Sequence, residues 1–140
     1  MIADRAPAVA PEAAGFWAGC DVGELRIQRC HGCGKVNWFP RTFCFSCSSR
    51  DLRWERASGL GAVLEVTTVY RALNESLADE VPYVLAIVRL AEGPCMLTRI
   101  VGEGALQAEL DAQVEVCFEP TRGHPLPVFR LVRESAISAR

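Results

Sequence analysis

Four cysteines in two closely spaced pairs are the residues whose types and spacing most directly specify chemistry. They are Cys30, Cys33, Cys44 and Cys47, and each pair encloses two residues. A Cys-x-x-Cys turn places both sulfurs on one side of a tight loop. Two such loops facing each other offer four thiolates in a tetrahedron, the arrangement that Zn²⁺ prefers. We predict a zinc ion at these cysteines. Iron accepts the same ligands, but nothing else in the sequence suggests electron transfer.

The surroundings of the cysteines indicate a structural metal rather than a catalytic one. Four protein ligands close the coordination shell, so no position remains for a reactive water. Gly32 and Gly34 allow the backbone angles of a knuckle and leave its amides free to approach the sulfurs. His31 lies inside the first pair and is expected to be an exposed loop residue, because four thiolates already suffice.

Short alternating segments around the cysteines predict the elements that position them. A helix begins at Pro11 and Glu12 and ends near Gly19, since proline and an acidic residue suit a first helical turn. Strands are predicted at residues 25–29, 36–39 and 52–56, on either side of the two pairs. Helix and ribbon together form a first unit, residues 12–57.

The remainder of the chain has an all-β pattern. Strands are predicted at residues 62–70, 82–90, 96–101, 114–118 and 127–132, with a helical or loop segment at 104–110. This order matches a five-stranded Greek-key barrel of the OB type. The predicted fold class is therefore mostly β: a short N-terminal helix, a rubredoxin-like zinc ribbon, and an OB-fold barrel at residues 58–133. Gly59 and Gly61 would let the first barrel strand bend at a corner. Flexible tails are predicted at residues 1–11 and 134–140.

Composition points to a cytoplasmic protein. No apolar stretch in the 140 residues approaches the roughly 20 residues of a membrane span. The N-terminus lacks the charged start and apolar block of a signal peptide. Seven cysteines without an export signal favour a reducing compartment, with Cys20, Cys95 and Cys117 as free thiols. We expect no membrane partner.

Charge is distributed unevenly. The net charge is -2, which argues against a dedicated nucleic-acid binder. Residues 24–56 nevertheless carry seven bases and three acids, whereas residues 57–140 carry seven bases and eleven acids. The basic ribbon is either an ordinary solvated surface or a patch that faces an anion, such as the phosphates of a nucleotide-bearing substrate or an acidic partner.

The order of these motifs resembles a family of zinc-ribbon and OB-fold proteins associated with acyl-CoA metabolism, long catalogued as a domain of unknown function, number thirty-five. The resemblance covers about residues 12–133. The matching motifs are Phe16-Trp17, Gln28-x-Cys30-x-x-Cys33-Gly34, Phe39-Pro40-Arg41-x-x-Cys44-x-x-Cys47, Gly59-x-Gly61 and Val81-Pro82-Tyr83-Val84. One departure is Ser48-Ser49, where a glycine commonly follows the last cysteine; this places strain on the second knuckle.

The resemblance implies a function as well as a fold. Members of that family look like non-catalytic partners of thiolase-fold enzymes and of acyl-CoA hydratases, including systems that degrade sterol side chains. The partner carries the reacting groups, and the small protein bridges subunits and helps hold the CoA ester. The resemblance thus implies a complex with a thiolase-fold enzyme or hydratase subunit, with acyl-CoA as a candidate ligand.

The residues themselves favour an accessory role over catalysis. The two histidines, His31 and His124, lie in no nucleophile–base arrangement that the sequence reveals. Gly59-x-Gly61 is too short for a phosphate-binding loop. A single-stranded nucleic-acid module is the alternative, because ribbons and OB barrels both serve there. A free-standing hydrolase or thioesterase is a third interpretation, which lacks a catalytic constellation.

Six residues are candidate contacts to CoA or to a partner. Lys35 and Arg41 adjoin the two knuckles and could bind phosphate or carboxylate through charge-assisted hydrogen bonds. The aromatics are candidate interface anchors, or else they pack the helix and the ribbon together. They are Phe16, Trp17, Trp38 and Phe39.

Overall fold

The computed structural model describes residues 9–132. The predicted tail at 134–140 therefore lies outside the described residues, as does the tail at 1–11 apart from residues 9–11. Pro11–Ala13 forms a turn of 3-10 helix that leads directly into helix α1, Ala14–Asp21. Proline suits this start because its fixed φ matches a helix and its missing N–H needs no partner there. The predicted helix is confirmed, and it ends slightly beyond Gly19.

A three-stranded antiparallel sheet forms the ribbon, with strands β1 Arg26–Cys30, β2 Val36–Asn37 and β3 Leu52–Arg56. Their order in the sheet is β2-β1-β3. All three predicted ribbon strands are present, but β2 ends at Asn37 rather than at residue 39. Backbone pairing stops there because the Gln28 side chain binds the chain that follows. Its amide donates to the Arg41 carbonyl at 3.1 Å and accepts from the Arg41 N–H at 2.8 Å.

Five strands close into a barrel: β4 Leu60–Val69, β5 Tyr83–Leu90, β6 Cys95–Val101, β7 Gln113–Glu119 and β8 Leu126–Leu131. Their order around the barrel is β4-β5-β6-β8-β7. All pairs are antiparallel except β6 with β8. The predicted barrel is confirmed, and a 3-10 turn, Ala105–Gln107, occupies the predicted insertion between its third and fourth strands.

The long loop between β4 and β5 contains an element that the sequence analysis did not predict. Glu75–Glu80 is a 3-10 helix, and the Asn74 side chain caps it by accepting the Ser76 N–H at 3.1 Å. An ion pair fixes its end, because Arg99 Nη1 lies 3.1 Å from Glu80 Oε2. The Arg99 guanidinium also lies 4.8 Å from the centre of the Tyr83 ring. The loop is thereby held against the start of β5 and the end of β6.

One hydrophobic core extends from helix α1 and the ribbon into the barrel. Its largest contribution comes from alternate residues of the barrel strands, because successive side chains of a strand point to opposite faces. The inward residues of β5 are all buried, as expected for a strand paired on both sides. The core includes Phe16, Leu25, Ile27, Val63, Val84, Val88, Leu90, Ile100, Val114 and Phe129.

Two further contacts join the ribbon half of the molecule to the barrel. The Ser58 N–H donates to Glu92 Oε2 at 2.8 Å. His124, in the turn between β7 and β8, lies with Nδ1 2.7 Å from Asp21 Oδ1 at the end of α1. Its ring stacks on Trp17 with the ring centres 5.5 Å apart. Among the helices of residues 9–132, none has the length and apolar character needed to cross a lipid bilayer.

Candidate metal centre

The four predicted metal ligands come together at one end of the ribbon sheet. The sulfurs of Cys30 and Cys47 are 3.5 Å apart, and those of Cys33 and Cys44 are 3.7 Å apart. All four lie within 4.8 Å of one another. A zinc ion about 2.3 Å from each sulfur needs sulfur–sulfur separations of roughly 3.8 Å. The cluster therefore has the dimensions of a tetrahedral metal site.

Backbone N–H groups of the two knuckles point at the sulfurs. The Gly32 N–H lies 3.2 Å from Cys30 Sγ, and the Ser46 N–H lies 3.4 Å from Cys44 Sγ. Such hydrogen bonds stabilise negative charge on a metal-bound thiolate. The prediction that the knuckle amides approach the sulfurs is confirmed. Gly34 adopts a φ of 80°, which only glycine adopts without strain.

Two buried amide side chains brace the second knuckle. Asn37 is 2% exposed; its Oδ1 accepts the Phe45 N–H at 3.0 Å, and its Nδ2 lies 3.6 Å from Cys44 Sγ. Gln28 is 4% exposed and holds both backbone groups of Arg41. A buried polar group is retained where its hydrogen bonds are satisfied. These amides therefore fix the chain on each side of Cys44.

The surroundings shift the pKa values of three clustered cysteines in different directions. The Cys47 N–H, followed by the Ser46 N–H and the Asn37 amide, lowers the pKa of Cys44 to about 6 against the opposing effect of burial. Burial raises the pKa of Cys30, but hydrogen bonds from Cys33, Cys47 and Gly32 outweigh it, so its pKa is lowered. The Ser49 N–H favours the Cys47 thiolate, yet the neighbouring sulfurs and burial raise that pKa to about 12. Four adjacent thiolates repel one another, and a bound divalent cation removes that conflict.

The remaining cysteines stand apart from this cluster. Cys20 is buried in α1, and burial followed by the charge of Asp21 raises its pKa to about 11. Burial likewise raises the pKa of Cys117 on β7. Cys95 is exposed at the start of β6. Because the thiolate is the reactive form, Cys20 and Cys117 are poor nucleophiles near neutral pH.

The six candidate contact residues are distributed between the core and the surface. Phe16 is 7% exposed and meets the ring of Trp38 edge-on at 5.5 Å, so it packs the helix onto the ribbon. Trp17 and Trp38 are half-buried, and Phe39 is 71% exposed. Lys35 and Arg41 are both exposed. Lys35 lies in a groove of about 530 Å³ between the first knuckle and the β5–β6 turn.

Two exposed aromatics beside Cys44 were absent from the candidate contacts predicted from the sequence. Phe43 and Phe45 are 50% and 57% exposed. The Lys35 ammonium lies 6.0 Å from the centre of the Phe45 ring. Their position on each side of Cys44 could have indicated this exposure. When the Cys44 side chain points inward, its two neighbours in a short loop tend to point outward. The predicted exposure of His31 is confirmed.

Comparisons with protein families match both halves of the chain. The model of the ChsH2 rubredoxin-like zinc ribbon domain matches residues 17–53, and the model of the ChsH2 C-terminal OB-fold domain matches residues 54–119. A zinc ribbon followed by a closed five-stranded OB barrel is thus the class of protein that this fold and site define. The chain belongs to the DUF35 family, in its ChsH2 branch, and the predicted resemblance is confirmed.

Two curated relatives carry names of their own. A "Probable enoyl-CoA hydratase alpha subunit" of Thermomonospora curvata is 31% identical over 125 residues, 89% of this chain and 39% of that protein. The chain therefore spans well under half the length of this relative. A "DUF35 domain-containing scaffold protein" of Methanothermobacter thermautotrophicus is 30% identical over 99 residues, 70% of this chain and 74% of that protein.

Two solved structures share the fold. A chain of the "Ltp2-ChsH2(DUF35) aldolase" superposes with a TM-score of 0.80 at 29% identity, over 90% of this chain and 98% of that chain. A DUF35-family protein of unknown function from Sulfolobus solfataricus superposes with a TM-score of 0.65 over 94% of this chain and 93% of that chain. At 15% identity, the second likeness concerns the fold alone.

Proposed function

We propose that this chain is a non-catalytic accessory subunit that binds a thiolase-fold or acyl-CoA hydratase partner and helps hold the acyl-CoA substrate. One observation carries the proposal: this chain superposes on 98% of a chain in the structure named "Ltp2-ChsH2(DUF35) aldolase". The likeness to part of an enoyl-CoA hydratase alpha subunit extends the candidate partners to hydratases. The partner then performs the chemistry beside the CoA thioester, in lipid or steroid metabolism.

The chemistry of the chain's own thiols supports an accessory role. The four clustered sulfurs would fill the coordination shell of a metal and leave no position for a catalytic water. Cys20 is buried with a raised pKa, which disfavours nucleophilic attack. Seven reduced thiols suit a cytoplasmic location.

We also propose that the bound metal is zinc and that its role is structural. When bound, zinc would cross-link the two knuckles through Cys30, Cys33, Cys44 and Cys47. We expect Cys30→Ser and Cys47→Ser to lose the metal and to melt at a lower temperature, because the ligand set is broken. Cys95→Ser is the matched control, since Cys95 lies outside the cluster. Elemental analysis of the purified proteins distinguishes zinc from iron, and a stable, metal-free Cys30→Ser protein would contradict the structural role.

We propose that the candidate contact residues bind CoA or the partner enzyme, and that the exposure of each side chain decides its part. Lys35 and Arg41 would face CoA phosphates or an acidic enzyme surface, and Phe39 would anchor a partner, because these side chains are exposed. Trp17 and Trp38 are half-buried, so only part of each ring is accessible to a partner. Phe16 is buried, so its proposed contribution is to hold the helix that presents Trp17.

Purification of the affinity-tagged chain from its native cell tests the accessory role. We expect a thiolase-fold enzyme or an acyl-CoA hydratase subunit to co-purify in a fixed ratio, as measured by mass spectrometry. The purified complex should process an acyl-CoA substrate, and the separated small chain should not. Thioester turnover by the small chain alone, or the absence of any such enzyme from the purified material, would contradict the proposal.

A further inference from the structure

The segment that carries the second Cys pair displays three exposed phenylalanines. Residues 38–50, here called the second-knuckle loop, contain Phe39, Phe43 and Phe45 at 71%, 50% and 57% exposure. Phenylalanine is among the residues most often buried in proteins. Single exposed apolar residues need no explanation, but a group of them on one short segment marks an interaction surface.

Unpaired positive charge accompanies these rings. Residues 30–50 contain Lys35, Arg41 and Arg50 but no aspartate or glutamate. Within residues 9–132, no acidic side chain forms an ion pair with any of these three bases. The other ribbon bases, by contrast, are all paired within the ribbon: Arg26 and Arg56 with Glu24, Arg29 with Glu55, and Arg53 with Asp51. Among the bases of the described ribbon, only Lys35, Arg41 and Arg50, which lie at the knuckles, form no ion pair.

Buried amide side chains hold the backbone of the loop at two points. Gln28 holds the backbone at Arg41, Asn37 holds it at Phe45, and Cys44 and Cys47 belong to the metal cluster. A surface that is already ordered loses little conformational entropy on binding, so more of its contact energy appears as affinity. Aromatic residues and arginine are enriched in protein interfaces, whereas a lysine such as Lys35 is typical of the polar rim.

From these observations we infer that the second-knuckle loop docks a partner protein, into an apolar recess rimmed by aspartate and glutamate. The inference rests on the accessory role proposed above and specifies the surface that performs it. Phe39, Phe43 and Phe45 enter the recess, and Lys35, Arg41 and Arg50 face the acidic rim. Complementary charge of this kind steers association and fixes the orientation of the partner.

The barrel argues for a protein rather than a nucleic acid at this surface. OB folds bind single strands across their second and third strands, with aromatic rings that stack on bases. Here those strands are β5 and β6, and their outer face presents Leu85, Ile87 and Leu97. The one aromatic residue of these two strands, Tyr83, is half-buried, with the Arg99 guanidinium 4.8 Å from its ring centre. The barrel half of the chain also carries more acids than bases, which opposes a phosphate backbone.

Three variants of the full, metal-loaded chain test the docking surface against the partner that co-purifies with the wild type. The aromatic variant carries Phe39→Ser, Phe43→Ser and Phe45→Ser, and the charge variant carries Lys35→Glu, Arg41→Glu and Arg50→Glu. The matched control carries Tyr70→Ser, Leu73→Ser and Leu97→Ser, which are 77%, 103% and 70% exposed on the barrel. Because all nine side chains are exposed, we expect each variant to fold. Metal content and melting temperature check that it does.

Binding to the purified partner, measured by titration calorimetry, decides the outcome. We expect the dissociation constant to rise at least about 10-fold for the aromatic and charge variants and to stay unchanged for the control. Added salt should weaken the wild-type complex and affect the charge variant less.

Three other outcomes would contradict the inference. If the barrel control lost binding while the aromatic and charge variants still bound the partner, the docking surface would be overturned and the accessory role would stand. A wild-type chain that binds no enzyme would overturn both. Binding of a single-stranded oligonucleotide that the loop variants abolish would assign the surface to nucleic acid instead.

Discussion

Two residues in equivalent positions of the knuckles differ in how easily they adopt the required backbone. Gly34 follows the second cysteine of the first pair and has a φ of 80°, and Ser48 follows the second cysteine of the second pair with a φ of 64°. Both lie in the left-handed region, which is costly for a residue with a Cβ atom. Strain was expected at this serine because a glycine commonly stands there, and the positive φ of Ser48 confirms that expectation.

Exchanging the residue types at these positions should move stability in opposite directions. We expect Ser48→Gly to raise the free energy of unfolding by about 1 kcal/mol, and Gly34→Ser to lower it by a similar amount. The comparison isolates backbone strain, because a Cβ at Gly34 would meet no atom within 4 Å. Urea unfolding of the metal-loaded proteins measures both changes. A Ser48→Gly protein less stable than the wild type would show that the serine side chain makes a contact worth more than the strain.

At the scale of single elements, β4 is the strand on which barrel closure depends. It pairs with β7 over Leu60–Ala62 and with β5 along most of its length, and its register with β5 shifts between Val63 and Glu65. Such a shift bends a strand and increases its twist. Gly59 and Gly61 were predicted from the sequence to allow this bending. For Gly61 the structure shows a second reason, which is the close approach of β5.

A side chain at Gly61 should force these strands apart. A Cβ there would lie 2.6 Å from Val88 Cγ1 and 2.7 Å from the Arg89 carbonyl oxygen. Because the backbone of β5 cannot yield locally, we expect Gly61→Ala to destabilise the protein by about 2–3 kcal/mol in urea unfolding. Gly93→Ala, in the turn after β5, is the control. Its Cβ would meet nothing within 4 Å, so only backbone strain at a φ of 113° applies. Equal losses for the two variants would refute the steric explanation.

At the scale of the whole molecule, the turn between β7 and β8 secures the N-terminal helix to the barrel. His124 and Asp21 are separated by 103 positions in sequence, yet Nδ1 and Oδ1 are 2.7 Å apart. Trp17 stacks on the same imidazole with an angle of 26° between the rings. The helix therefore contacts both the ribbon, through Phe16, and the barrel, through Trp17 and Asp21.

The two histidines of the chain allow a matched test of this contact. We expect His124→Ala to lower the free energy of unfolding by about 1 kcal/mol, because it removes a ring stack and a partly exposed hydrogen bond. His31→Ala should leave stability unchanged, since that side chain is exposed in the first knuckle. Thermal unfolding followed by tryptophan fluorescence measures both. Equal melting temperatures for the wild type and His124→Ala would show that the helix is held by the ribbon alone.

The sequence by itself determined the four clustered cysteines as candidate metal ligands and nearly all of the strands. Both signals are local: two Cys-x-x-Cys turns define a ligand set, and a period of two defines a half-buried strand. The 3-10 helix that follows Asn74 was not predicted, because polar residues such as asparagine and serine are common both at helix caps and in irregular loops. The end of β2 was not predicted correctly, because beyond it the chain is held by hydrogen bonds from the Gln28 side chain instead of by backbone pairing.

Only the tertiary structure decided which side chains reach the surface and which distant residues meet. Phe16 and Phe39 carry the same side chain in the same unit, yet one is buried in the core and the other is exposed. Asn37 and Gln28 brace the metal loop, and His124 meets Asp21, through contacts that depend on strand register and on the packing of α1. Residue type and spacing describe the chain within a few positions. Burial and long-range pairing depend on how all the elements fill one core, and that is a property of the folded molecule.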